Sequence, residues 1–238
     1  MTETALEPVP EDWSRGLAVV AHPDDMEYGA ASAVARWTRQ GKEIAYLLVT
    51  HGEAGIDSMS PEESVAARAG EQEASCRIVG VDRLEYLNYP DGLVVADLDL
   101  RRSLAGALRR HRPEVVIGIN FRESWGGPSW NHADHRAVGV ALLDAVRDAA
   151  NRWIFPELGE PWSGVRFALF SHSLDTTHGV DVTDTLDAGI ESLRCHKAYL
   201  DNLGADAPDP DEMLRSTAAA AGPRLGVGYA VPFELFAF

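Results

Sequence analysis

The chain has 238 residues and a formal net charge of −16, which is length enough for one α/β domain with a substantial core. This acidity argues against non-specific binding to nucleic acid or to anionic membranes, since both need basic surface. No apolar run approaches membrane-spanning length, and Met1 to Asp12 carries neither the basic nor the apolar segment of a signal peptide. Cys76 and Cys195 form no Cys-x-x-Cys pair, so a cytoplasmic protein with free thiols is expected.

Taken in chain order, apolar runs of strand length alternate with helical patterns. Leu17 to Ala21 reads as a first strand, Gly29 to Gln40 as a helix stopped by Gly41, and Ile44 to Thr50 as a second strand. Ser60-Pro61-Glu62-Glu63 supplies an N-cap, a first-turn proline and first-turn acids for a helix from Pro61 to Val79, closed by Gly80. Leu84 to Leu87 is a short strand, Leu98 to His111 a helix and Val115 to Ile119 a strand, followed by a loop from Asn120 to Trp130 around Gly126-Gly127-Pro128.

Asn131 to Ala150 carries an apolar stripe of Val138, Ala141, Leu142, Ala145, Val146 and Ala149, with His132 and His135 on that stripe in the first turn. A strand from Arg166 to Phe170 and a helix from Thr185 to Leu200 follow, and the chain from Gly204 reads as an irregular tail. The alternation predicts a Rossmann-like α/β fold: a mostly parallel sheet with helices on both faces, in one domain whose core runs from about residue 15 to 200. Loops leaving the C-terminal ends of parallel strands share one edge. Residues 22–28, 51–60, 88–96 and 120–131 should therefore converge.

Two packets of chemistry fall on those loops: His22-Pro23-Asp24-Asp25-Met26-Glu27 after the first strand and His132-Ala133-Asp134-His135 before the long helix. Either packet alone reads as well as a capped turn or a helix start. Together, His22, Asp25 and His135 make a catalytic zinc shell with room for water. Asp24, beside a ligand but free of the metal, is the candidate general base. His132 is placed to face a developing oxyanion, and Asp134 to orient an imidazole from behind.

Two histidines and a carboxylate also serve non-haem iron oxygenases, but the spare base favours hydrolysis. A nucleotide-binding reading lacks its Gly-x-Gly-x-x-Gly turn. Glu27 reads as a brace taking backbone N–H bonds at the next helix, and Trp125 and Trp130 as an apolar lid that stacks on substrate.

The run Ala21 to Gly29 with His132-Ala133-Asp134-His135 resembles the PIG-L/LmbE-like family of zinc-dependent N-deacetylases. Gly52-Glu53-Ala54-Gly55, Arg68 with Glu71, Asp91-Gly92 and Val180-Asp181-Val182-Thr183 extend the resemblance over roughly residues 15 to 200. It implies zinc on His22, Asp25 and His135, a base at Asp24, and His132 serving the oxyanion or the leaving amine. It further implies Arg68 and Asp91 on sugar hydroxyls, with Arg68 as a helix-surface cation paired to Glu71 or Gln72 the alternative. The activity implied is removal of an N-acetyl group from an N-acetylglucosamine-type sugar in a small conjugate; hydration of an unsaturated carboxylic acid is the alternative on the same scaffold. The resemblance is compatible with a homo-oligomer.

Overall fold

In the computed structural model, residues 4–204 and 209–238 are described. An 8-stranded sheet forms the centre. Its parallel part contains β2 (Arg15–Val20), β3 (Glu43–Leu48), β4 (Arg83–Tyr86), β5 (Val115–Ile119) and β8 (Phe167–Ser171), in the spatial order β4-β3-β2-β5-β8. Beyond β8 lies antiparallel β10 (Ala230–Ala237), then β9 (His178–Asp181) and the short β1 (Glu7–Pro8) at the edge.

The sheet is covered on both faces because alternate residues of each strand point to opposite sides. In β2, Ala18 and Val20 join the core layer containing Val34, Trp37 and Ile190, while Leu17 and Val19 join the layer containing Leu104, Leu108, Leu142 and Val146. The first layer is roofed by α2 (Ala31–Arg39), α3 (Pro61–Val79) and α6 (Leu186–Arg194), the second by α4 (Leu98–His111) and α5 (Ala133–Ala150). The helix start expected at Ser60 forms: Ser60 Oγ accepts the Glu63 N–H while Glu63 holds the Ser60 N–H, and Gly80 closes α3 at φ 74°.

Four expectations need correction. Residues 205–208 of the expected irregular tail lie outside the described residues, but the rest of it is ordered as α8 (Pro210–Leu225) and β10. Asp209 caps α8 with Pro210 at its start, and β10 fills the gap between β8 and β9 although Pro232 speaks against a central strand.

The helix expected over Thr185 to Leu200 breaks into α6 and α7 (Lys197–Leu200), because the turn between them carries His196 into the interior against Glu27. Residues 120–130 hold a hairpin, β6 (Ser124–Gly126) and β7 (Ser129–Trp130), whose turn uses left-handed Gly126 and Gly127. α5 begins at Ala133, not Asn131, so His132 is its N-cap residue.

Candidate active site

From β2 the chain crosses to β3 and β4 on one side, and α4 returns it to β5 on the other. The order therefore reverses between β2 and β5, and the loops leaving their C-terminal ends open a crevice there. The two packets meet across it, with His22 directly after β2 and His132 to His135 after β5 and its hairpin. A cleft of about 490 Å³ lies over them. Of the residues expected to bind metal, catalyse or contact substrate, His22, Asp24, Asp25, Arg68, Asp91, Trp125, His132 and His135 line it, whereas Asp134 is buried behind it and Trp130 lies outside.

His22 Nδ1 and His135 Nε2 stand 3.2 Å apart, and Asp25 Oδ1 lies 3.0 Å from His135 Nε2. Asp25 is fixed by its other oxygen, which accepts the N–H groups of Ala21 and His22 at 3.0 and 2.9 Å, so the end of β2 itself aims the carboxylate. The proton positions of both imidazoles follow from their partners. His22 Nε2 faces Asp134 at 3.1 Å and Asp91 at 3.0 Å, two acceptors, and so carries its hydrogen there.

His135 Nδ1 faces Asn131 Oδ1 at 3.0 Å; the Asn131 amide donates to the carbonyls of Asn120 and Arg122, so its oxygen is the acceptor and Nδ1 the donor. In these tautomers each ring, when neutral, turns a lone pair toward the same point, which a carboxylate oxygen also faces. Three such donors at contact distance repel unless a cation lies among them, and their geometry suits a divalent metal. The carboxylates have the same effect on a proton: although burial opposes it, bonding to Asp134, Asp25 and Asp91 holds the His22 imidazolium well above its usual range.

Asp24 turns away from this cluster. Its Oδ2 accepts from Arg68 Nη2 at 3.1 Å, and its backbone is left-handed at φ 88°, a conformation costing a non-glycine residue about 1–2 kcal/mol. Burial drives its carboxyl up to about 7, against the pull of Arg68 and with the help of Asp25. Arg68 is not a surface cation. It is buried, donates to the carbonyls of Gly52 and Pro23 at 3.0 and 2.6 Å, and lies over the Tyr199 ring at 4.7 Å. Gly52 explains part of the Gly-Glu-Ala-Gly run: a Cβ there would come within 2.1 Å of the Arg68 guanidinium.

His132 caps α5 by accepting the Asp134 N–H at Nδ1, 3.2 Å away, which leaves its Nε2 as the hydrogen-bearing atom at the cleft. Burial and the neighbouring His22 and His135 depress its pKa, favouring that neutral donor form. Asp134 is 0% exposed and receives the N–H groups of Gly92 and Val94 besides facing His22. Asp91 lines the cleft, but its two oxygens are engaged by His22 Nε2 and the Ala54 N–H. Glu27 is a brace as expected, though not through backbone bonds: Gln72 and Ser75 donate to it, and His196 faces it at 3.6 Å.

Of the two tryptophans only Trp125 reaches the cleft, standing edge-on to His135 and His172 at 5.6 and 6.2 Å. Trp130 is 65% exposed and packs on the guanidinium of Arg136, so the expected two-tryptophan lid is not formed. The hairpin is also tied at its base, by the Asn131 amide to the carbonyls of Asn120 and Arg122 on the segment entering β6 and by Arg122 to buried Glu234 on β10. The sequence signals no site role for Asn131, His172, Tyr199 or Met213, and Gln72 enters it only as an alternative partner of Arg68. Asn131, next to His132, offered a positional hint; Met213 and His172 belong to elements whose docking at this edge depends on β10 and β8.

A family profile described as PIG-L, GlcNAc-PI de-N-acetylase, matches residues 17–146, more than half of the chain. The chain belongs to the PIG-L family. Among its PIG-L relatives, the diacetylchitobiose deacetylase of Thermococcus kodakarensis is 26% identical over 225 residues, 92% of this chain and 82% of that protein. A 1D-myo-inositol 2-acetamido-2-deoxy-alpha-D-glucopyranoside deacetylase of Saccharopolyspora erythraea is 30% identical over 172 residues, 61% of each chain. The solved structure of N,N'-diacetylchitobiose deacetylase from Pyrococcus horikoshii aligns at a TM-score of 0.83 with 25% identity, covering 95% of this chain and 85% of that one.

Proposed function

We propose that this protein is a zinc-dependent N-deacetylase that hydrolyses the acetamide of an N-acetylglucosamine-type sugar within a small conjugate. The observation that carries this reading is the convergence of His22 Nδ1, Asp25 and His135 Nε2 beside an Asp24 that is bonded to Arg68 and not to the cluster. The related deacetylases supply the reaction class and the kind of sugar. A divalent cation held by His22, Asp25 and His135 would supply Lewis acidity toward the acyl oxygen and a water of lowered pKa.

The remaining chemistry belongs to the side chains. Asp24 takes the proton from water as its oxygen attacks the acyl carbon, and a carboxyl raised by burial is a better base than an ordinary aspartate. Charge then builds on the acyl oxygen, toward which neutral His132 offers its Nε2–H. As the C–N bond breaks, the proton held by Asp24 passes to the nitrogen, giving acetate and a free amine. Trp125 walls the cleft and offers a face for a sugar ring.

Asp134 and Asp91 hold the His22 ring, and Asn131 the His135 ring, in the tautomers that leave the inner nitrogens free. Asn131→Ala should therefore weaken zinc binding by about 10–100-fold, read by competition with a chromophoric chelator; an unchanged affinity would show that Asn131 orients nothing. The hydratase alternative wants free cations for a carboxylate substrate. Arg68 is spent on backbone carbonyls and Asp24, and Arg122 on Glu234. Assay of N,N'-diacetylchitobiose and other N-acetylglucosamine conjugates should release acetate and amine in equal amounts, with no loss of ultraviolet absorbance from enoic acids. Hydration without acetate release would reverse the choice.

A further inference from the structure

We propose that Gln72 is a positioning residue for Asp24, holding its backbone in the left-handed conformation through the Gln72 side-chain carbonyl. The proposal rests on the deacetylase reading for its kinetic consequence, and on the geometry alone for its structural one. Gln72 Oε1 accepts the Asp24 N–H at 3.2 Å, while Gln72 Nε2 donates to Glu27 Oε1 at 2.8 Å. The amide orientation is not arbitrary, because Glu27 presents a carboxylate oxygen there and Asp24 a backbone donor. Glu27 is held in turn by Ser75 Oγ at 2.5 Å. Gln72, Glu27 and Ser75 are all buried, so water is poorly placed to replace any of these bonds.

Helix α3 thus reaches Asp24 twice from one face. Arg68 takes the carboxylate and Gln72, four residues on, takes the backbone N–H. Asp25 is gripped differently, by the N–H groups of Ala21 and His22 at the end of β2. The two neighbouring aspartates therefore answer to different elements, α3 for the proposed base and β2 for the proposed ligand. Loss of Gln72 should release the first without loosening the second.

The test is Gln72→Met, alone and combined with Asp24→Asn. Alone it should lower kcat about tenfold, the scale of the one buried hydrogen bond lost at Asp24, with KM within about twofold and zinc content unchanged. In the Asp24→Asn background it should change kcat no further, because Gln72 acts only through Asp24. A general structural role would give the same loss in both backgrounds, and that result overturns the proposal, as does loss of zinc from the single variant. The crystal structure of Gln72→Met reads the proposal without any activity. Asp24 should leave positive φ and its carboxylate should part from Arg68; an unmoved Asp24 refutes it. A wild-type protein that releases no acetate would sink the deacetylase reading while the crystallographic arm still decides on Gln72. If the methionine variant does not fold, Gln72→Ala carries the same readouts.

Discussion

Asp24→Asn is expected to lower kcat by about 10³-fold, within the range by which a positioned general base speeds proton transfer, while KM and zinc content stay close to those of the parent. Asparagine keeps the shape of the side chain and an oxygen that can accept from Arg68, so the cleft should persist. It cannot take a proton from water. Steady-state acetate release with elemental analysis of the same samples separates the two effects. A variant that loses zinc but keeps its activity per bound metal would reassign Asp24 from base to ligand.

Metal removal is the other large effect. Chelation should reduce turnover to background and lower the melting temperature, because the stabilisation that metal binding at His22, Asp25 and His135 adds to the folded state is then lost. At free zinc 1,000 times the dissociation constant, binding stabilises the folded state by about 4 kcal/mol. For a domain of this size that corresponds to a shift of about 10 °C. His135→Ala should match the chelated protein in both readouts, and zinc should restore the parent but not the variant. A chelated protein with full activity would exclude a metal from the reaction.

Much of this was legible in the sequence because local signals and tertiary need agreed. Of the parallel strands up to β5, β2, β3 and β5 are short apolar runs, and α3 carries its own cap, first-turn proline and closing glycine. Once the sheet is parallel, the packets after β2 and β5 have to share an edge, which is why His22, Asp25 and His135 could be paired across more than a hundred residues. What was not legible depends on long-range packing. The break at His196 follows from burying that ring against Glu27, against the helical pattern around it. β10 carries Pro232, and its place between β8 and β9 cannot be inferred from its own residues. Trp125 and Trp130 differ by which side of a short hairpin each occupies, and periodicity over so few residues does not resolve that. The tasks of Arg68 and Asp91 were set by partners on other loops, chiefly the Gly52 carbonyl, Asp24 and His22.

The most direct test of the central claim is a crystal structure of the zinc-loaded protein with anomalous data collected on either side of the zinc edge. One strong peak should lie among His22 Nδ1, Asp25 and His135 Nε2, with Asp24 still on Arg68 and outside the metal shell. A peak ligated by Asp24, or none at this cluster in a protein that hydrolyses its substrate, would contradict the account.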